Sequence, residues 1–269
     1  MNEKSDQYTH GHHESVLRSH RWRTAVNSAG FLLDHLSPGL RLLDVGCGPG
    51  TISADFARLV APGEVRAIDV SNEVIETART LHAGDAIANL SFDVDNVYRL
   101  SFEDSSFDVV HAHQVLQHLS DPVAALGEMR RVLRSDGLLA VRDADFAAFA
   151  WSPGDDRLTR WMEIYHQVTR ANGAEADAGR NLPRWVREAG FQALEVSSSN
   201  WTYFKPAERQ WWGQLWADRV LVSDFAKQAL SHGFTTDDEL RAISEAFVQW
   251  SNERDGVFIV VNGEVLARR

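Results

Sequence analysis

Three glycines in alternate positions, Gly46, Gly48 and Gly50, follow the apolar run Leu42-Leu43-Asp44-Val45 and precede a helical pattern that begins at Thr51. A chain turning sharply out of a buried strand needs backbone conformations that a Cβ obstructs, and its bare main chain lets a ligand come close. Such a turn is built to hold a small-molecule cofactor. About twenty residues further on, Glu64-Val65-Arg66-Ala67-Ile68-Asp69 reads as a second strand ending in a carboxylate, the group that accepts hydrogen bonds from ribose hydroxyls. The single cysteine, Cys47, sits inside the glycine turn, where it reads as a small tolerated residue ahead of a nucleophile. With no second cysteine an internal disulfide is excluded, which suits a reducing compartment.

The dinucleotide fingerprint G-x-G-x-x-G does not fit: its last position is Thr51, and the third glycine falls one residue early. Together with the acid Asp44 ahead of the first glycine, the segment Leu43 to Gly50 resembles the first motif of the class I S-adenosylmethionine-dependent methyltransferases. The resemblance implies that Asp44, Gly46, Cys47, Gly48 and Gly50 border S-adenosylmethionine, with Asp69 and Val70 at its ribose. Asp69 alone does not separate this family from nicotinamide enzymes. The third strand, Leu90-Ser91-Phe92-Asp93-Val94-Asp95, runs into Asn96-Val97; the resemblance places an adenine-binding acid here, and Asn96 takes that position with Asp95 as its rival and Val97 alongside. Phe107-Asp108-Val109-Val110 follows the family's fourth strand and brings His113 and Gln114 beside the methyl group. The match runs continuously from 40 to 143. It looks most like the ubiquinone/menaquinone-biosynthesis-type methyltransferases over Phe107 to His118 and Val141-Arg142-Asp143. The tryptophan-rich remainder departs from the short C-terminal region of quinone-pathway members, so a quinone substrate is not carried over.

These residues need an open sheet to position them. Asp121-Pro122 is an N-cap and first-turn pair opening a helix with Val123, Leu126, Met129, Val132 and Leu133 along one side. Ser135-Asp136-Gly137 closes it, and Leu138 to Val141 forms a fifth strand. A helix is expected over Leu182 to Ala189 and a long strand over Phe191 to Phe204. Val257 to Val261 reads as a strand, Asn262-Gly263 as a tight turn and Glu264 to Ala267 as a terminal strand. The expected fold is α/β, a doubly wound, mostly parallel seven-stranded sheet for which the resemblance implies the order 3-2-1-4-5-7-6. The expected organisation is an N-terminal helical arm or lid (1–36), a cofactor-binding core (37–204), a helical aromatic-rich insert (205–254) and a terminal strand completing the core (255–269).

The net charge of −11 argues against nucleic acid as partner, since phosphates need a basic track and the largest cluster is Arg130-Arg131 with Arg134 on a solvated helix face. The Asp/Asn-Pro-Pro-aromatic motif of amino-directed nucleic-acid methyltransferases is missing after the fourth strand, as is a Pro-Cys nucleophile. A small-molecule methyl acceptor is expected. No apolar run reaches the length of a membrane span and the polar N-terminus lacks a signal-peptide core, so a cytoplasmic protein is expected. His10-Gly11-His12-His13 lacks an acidic or cysteine partner at helical spacing, and no metal is expected.

A sulfonium methyl is already activated, so the chain must chiefly align donor and acceptor and exclude water. A base is needed only if the acceptor loses a proton. His113 is the first candidate, followed by His118 and Asp143, with packing or a cofactor contact as the competing role for His113. The arm residues Tyr8, His20 and Arg23 are candidates for a lid or for the cofactor carboxylate, against a solvated helix face. Two other classes fit parts of the pattern: a nicotinamide oxidoreductase, which needs the absent third fingerprint glycine, and a non-catalytic S-adenosylmethionine-binding regulator, which would lack a closed acceptor pocket. The sequence assigns no oligomeric state.

Overall fold

The computed structural model describes residues 9, 22–85 and 87–269. After two short helical turns, α1 (Ala25–Ser28) and α2 (Gly30–Leu33), the chain alternates strand and helix, save that β3 leads to β4 through a loop: β1 (Leu42–Val45), α3 (Thr51–Val60), β2 (Val65–Asp69), α4 (Asn72–His82), β3 (Leu90–Val94), β4 (Phe107–His113), α5 (Pro122–Val132) and β5 (Leu133–Ala144). The alternation gives parallel pairing of β1 with β2 and β4, of β2 with β3, and of β4 with β5. Local chemistry sets the helix starts. Ser71 caps α4 by accepting from Val74 N, and Asp121 caps α5 by accepting from Ala124 N, with Pro122 in the first turn where its missing N–H costs nothing.

Beyond β5 come a three-residue strand β6 (Ala150–Ser152), α6 (Asp156–Ala171), α7 (Ala178–Glu188), β7 (Ala193–Tyr203), three helices α8 (Pro206–Val222), α9 (Asp224–Ser231) and α10 (Asp237–Asn252), and the last strand β8 (Val257–Arg268). Strand β8 lies antiparallel between β5 and β7. The full order is β3-β2-β1-β4-β5-β8-β6, with β7 on the other side of β8. Setting aside β6, which pairs only with Val257 to Ile259, this is the expected seven-stranded order.

Two local expectations fail for one reason. Asn262-Gly263 is not a turn, because β8 runs through it without a break, and α7 begins at Ala178 rather than Leu182. The first turn of α7 presses its backbone onto the strand there: a Cβ at Gly263 would lie 2.2 Å from Gly179 O, and one at Gly179 would lie 2.7 Å from Gly263 N. Both glycines serve a close helix–strand approach.

The central strands are buried on both faces. Leu43, Val45, Val110 and Val141 pack towards α5 and α7, while Leu42, Val109 and Ala140 pack towards Ile52 and Phe56 of α3. A third core is aromatic, joining Trp161 and Tyr165 of α6, Trp212 and Trp216 of α8, Phe247 of α10 and Phe258 of β8. Helices α8 to α10 thus share their core with α6 and with the sheet. Among the described residues, no helix is long and apolar enough to cross a membrane.

Candidate active site

The carboxyl ends of β1 to β4 open onto one cavity of about 440 Å³, which continues beneath α8. At one end is the glycine turn. Gly46, Gly48 and Gly50 have φ of 67°, 55° and 78°, left-handed values that disfavour a side chain. The close approaches are to protein: a Cβ at Gly46 would lie 2.4 Å from Val115 Cγ2, and one at Gly50 2.4 Å from Phe92 Cε1. Asp69, at the end of β2, braces the turn by accepting from Gly48 N at 3.2 Å and Ser71 N at 3.1 Å. Asp95 accepts from Ser101 N and Oγ, and Asn96 Oδ1 accepts from Tyr98 N at 2.9 Å, so both shape the loop after β3. Asp69, Val70, Asp95, Asn96 and Val97 all line the cavity, Val70 from its exposed rim.

Asp44 reaches the cavity wall, yet both its oxygens are engaged. Oδ1 pairs with His111 Nδ1 at 2.7 Å and Oδ2 accepts from Ser53 Oγ at 2.5 Å. Asp44 and His111 are register partners on adjacent parallel strands, which explains a histidine with no exposed surface. Burial, then the charges of Asp44 and Asp69, push the Cys47 thiol well up, so it stays protonated and is no nucleophile.

Gln114, directly after β4, is a non-glycine residue with φ of 53°. Its strain is held from three sides. Its N–H donates to Arg142 O at 2.7 Å, its Oε1 accepts from Arg23 Nη2, and its Nε2 donates to Asn262 Oδ1 at 3.2 Å. His113 and His118 also line the cavity. His113 lies 3.5 Å from Arg142 Nη1 and edge-on to Trp201. His118 Nε2 is 3.0 Å from Gln117 Nε2. Asp143 is fully buried behind Gln117 and Ala144, off the cavity wall; it accepts from Gln117 N at 3.1 Å, and burial pushes its carboxyl up to about 8 against those backbone bonds and Arg142. Tyr8, His20 and His10-Gly11-His12-His13 lie outside the described residues. Among the described residues, no group of three or more histidine, cysteine or acidic side chains is placed to hold a metal.

The far end of the cavity is aromatic. Trp201 and Tyr203 close β7, Trp211, Trp212 and Trp216 come from one face of α8, and Trp22 packs edge-on to Trp201 at 5.5 Å. Tyr203 stacks on Trp212 with centroids 4.4 Å apart. Arg219 completes this wall with its guanidinium 4.8 Å from the Trp216 ring. Tyr203 Oη and Trp212 Nε1 are buried with no hydrogen-bond partner among the described residues, and burial raises the tyrosine hydroxyl. Such groups cost about 1–3 kcal/mol each when left unsatisfied. The sequence pointed to an aromatic-rich insert and read Asn262 as a turn residue, but it did not single out Gln117, Tyr203 or Arg219, which no local motif marks.

A methyltransferase domain model matches residues 36–190. An uncharacterized methyltransferase of Schizosaccharomyces pombe is 32% identical over 281 residues, covering 100% of this chain and 99% of that one. The chain belongs to the S-adenosylmethionine-dependent methyltransferases. A ubiquinone biosynthesis O-methyltransferase of Xanthomonas axonopodis is 34% identical over 165 residues, 59% of this chain and 65% of that one. Among solved structures, the YcgJ protein of Bacillus subtilis has the same fold, with a TM-score of 0.60 at 20% identity over 89% of this chain and 97% of that one. The methyltransferase uses S-adenosylmethionine as its methyl donor, and the quinone relative matches only part of the chain, as a resemblance confined to the cofactor core predicts.

Proposed function

We propose that this methyltransferase moves the methyl group of S-adenosylmethionine to carbon or oxygen of a small, apolar or aromatic metabolite. The observation carrying this reading is the continuity of the cavity: the glycine turn and the tryptophan-lined end are two halves of one space. In this reading Asp69 takes the ribose hydroxyls, with Val70 beside them. Asn96, flanked by Asp95 and Val97, takes the adenine amino group. Gly46, Cys47, Gly48 and Gly50 admit the methionine portion over the Asp44 carboxylate, and Arg23 with Gln114 meets its carboxylate. The donor supplies an electrophilic methyl carbon; the chain holds the acceptor in line with it and keeps water away. His113 and His118 stand at the junction of the two halves, and Asp143 supports the junction from behind through the Gln117 backbone.

Nucleic acid does not fit the reading, given the net charge of −11 and a cavity lined at its far end by aromatic rings. Incubating the protein with a metabolite extract and S-adenosylmethionine labelled in its methyl group, followed by mass spectrometry, tests the reading directly. The expected product is a labelled molecule small enough for the cavity. Label appearing only in tRNA, DNA or protein would overturn it.

A further inference from the structure

Among the described residues, three carboxylates line the cavity, Asp44, Asp69 and Asp95, and of these Asp44 alone is buried, with 3% of its surface exposed. A charge taken out of water needs partners. The register of β1 gives Asp44 two neighbours across the sheet: Ala67 on β2, which has no side-chain donor, and His111 on β4, which has one. The second donor comes from the helix above, where Ser53 sits fully buried in the first turn of α3.

A histidine at position 111 is a costly way to fill a strand. A carboxylate only accepts, so Nδ1 donates to Asp44 Oδ1 at 2.7 Å. Its Nε2 is left buried without a hydrogen-bond partner, with the Phe56 ring edge-on at 4.9 Å between centroids. A leucine would pack there without stranding a polar atom. What the imidazole adds is a donor aimed at Asp44. A carboxylate offers about four lone-pair sites; His111 takes one on Oδ1 and Ser53 one on Oδ2, which fixes the plane of the group and leaves each oxygen a further site.

We propose that His111 is a positioning residue for the methyl donor: with Ser53 it holds the Asp44 carboxylate so that its remaining lone pairs take the ammonium group of the donor's methionine portion. The inference rests on the reading above that the methionine portion lies over Asp44. Fixing the acceptor matters because a charge-assisted hydrogen bond weakens steeply away from its preferred geometry. The ammonium, once held, sets the path of the methionine chain and with it the direction in which sulfur presents the methyl carbon.

The test is calorimetry on the full chain with two probes. S-adenosylhomocysteine carries the ammonium; 5′-S-(3-carboxypropyl)-5′-thioadenosine keeps the nucleoside, thioether and carboxylate and lacks only that group. The wild type should prefer the first by about tenfold or more. His111→Leu should weaken S-adenosylhomocysteine about tenfold and leave the deaminated probe within about twofold, so that the preference disappears. His111→Asn, whose amide nitrogen donates from near the place of Nδ1, should restore most of it. Ser53→Ala, which removes the other donor without touching the strand, should lower the preference about threefold. Equal loss of both probes in His111→Leu would make His111 a support of the strand only and overturn the proposal, as would an undiminished preference or a His111→Asn variant that behaves like His111→Leu. Should His111→Leu fail to fold, Ser53→Ala decides: a lowered preference supports the proposal and an unchanged one overturns it. A wild type that binds both probes equally removes the ammonium contact and leaves the donor reading standing, whereas one that binds neither removes both.

Discussion

The two halves of the cavity are assembled in different ways. The glycine-turn half is made by loops, each leaving the end of one parallel strand, so Asp44 to Gly50, Asp69 and Asp95 to Val97 reach it from the ends of β1, β2 and β3. The aromatic half is made by residues far apart in sequence: Trp22 from the arm, Phe146 after β5, Trp201 and Tyr203 from β7, and Trp212 and Arg219 from α8. One half is rich in carboxylates and backbone hydrogen bonds, and the other in stacked rings, with the Arg219 guanidinium among them. On the proposed reading, a donor common to a whole family is held by geometry that the chain writes locally, and an acceptor particular to one enzyme by tertiary packing, which can change without disturbing the turn.

The sharpest way to break this comparison is Gly46→Ala. A Cβ there would lie 2.4 Å from Val115 Cγ2 on a backbone with φ of 67°, so the turn must shift against a branched side chain as well as bear left-handed strain. Calorimetry should register at least about a hundredfold loss of S-adenosylmethionine affinity, about 2.8 kcal/mol, with an unchanged circular dichroism spectrum. Affinity within a few-fold of the wild type would mean that the turn is not a rigid cradle.

Asp69→Ala comes next. It removes the brace on Gly48 N and Ser71 N and, on the proposed reading, an acceptor for the cofactor, and should weaken cofactor binding by about 1.5–3 kcal/mol. Its counterpart in the other half is Trp212→Phe, which keeps a ring over Tyr203 but deletes the buried N–H. Once the acceptor is identified, this variant should raise its KM by about fivefold to tenfold, about 1–1.4 kcal/mol, and leave cofactor affinity unchanged. If Trp212→Phe also weakens the cofactor, the two halves are not separable and the comparison fails.

The same contrast explains what could be read from the chain. The order of the sheet, the glycine turn, the Ser71 and Asp121 caps and the aromatic helices before the last strand follow from patterns spanning a few residues. The Asn262-Gly263 dipeptide misleads because its glycine answers to Gly179, a residue more than eighty positions away by numbering, and no local window contains both. Asp44 and His111 read separately as a cofactor acid and a packed strand residue; only the register of β1 against β4 joins them into one buried pair. The approach of Arg142 to His113 and of the Gln117 amide to His118 brings together groups from different strands and loops, contacts that spacing does not reveal.

The smallest expected effect is on stability, at the seam between the halves. Asp143 is buried, and its carboxyl is pushed up to about 8, chiefly by desolvation, with the Gln117 and Leu116 backbone bonds and the Arg142 charge opposing. Unfolded, the same group titrates near 4. The folded state therefore holds a proton that the unfolded state releases, and this contribution to stability is complete below about pH 4 and lost as the pH rises towards 8. Asp143→Asn keeps an oxygen for Gln117 N and cannot ionise. Its melting temperature should exceed that of the wild type by a few degrees at pH 8.5, and the gap should narrow steadily as the pH falls towards 4. If turnover on the identified acceptor is retained, Asp143 is a buried support whose charge is a burden to the fold. A fall of a hundredfold or more with cofactor affinity intact would instead make its proton part of the chemistry, since a positioned acid or base supplies about that much.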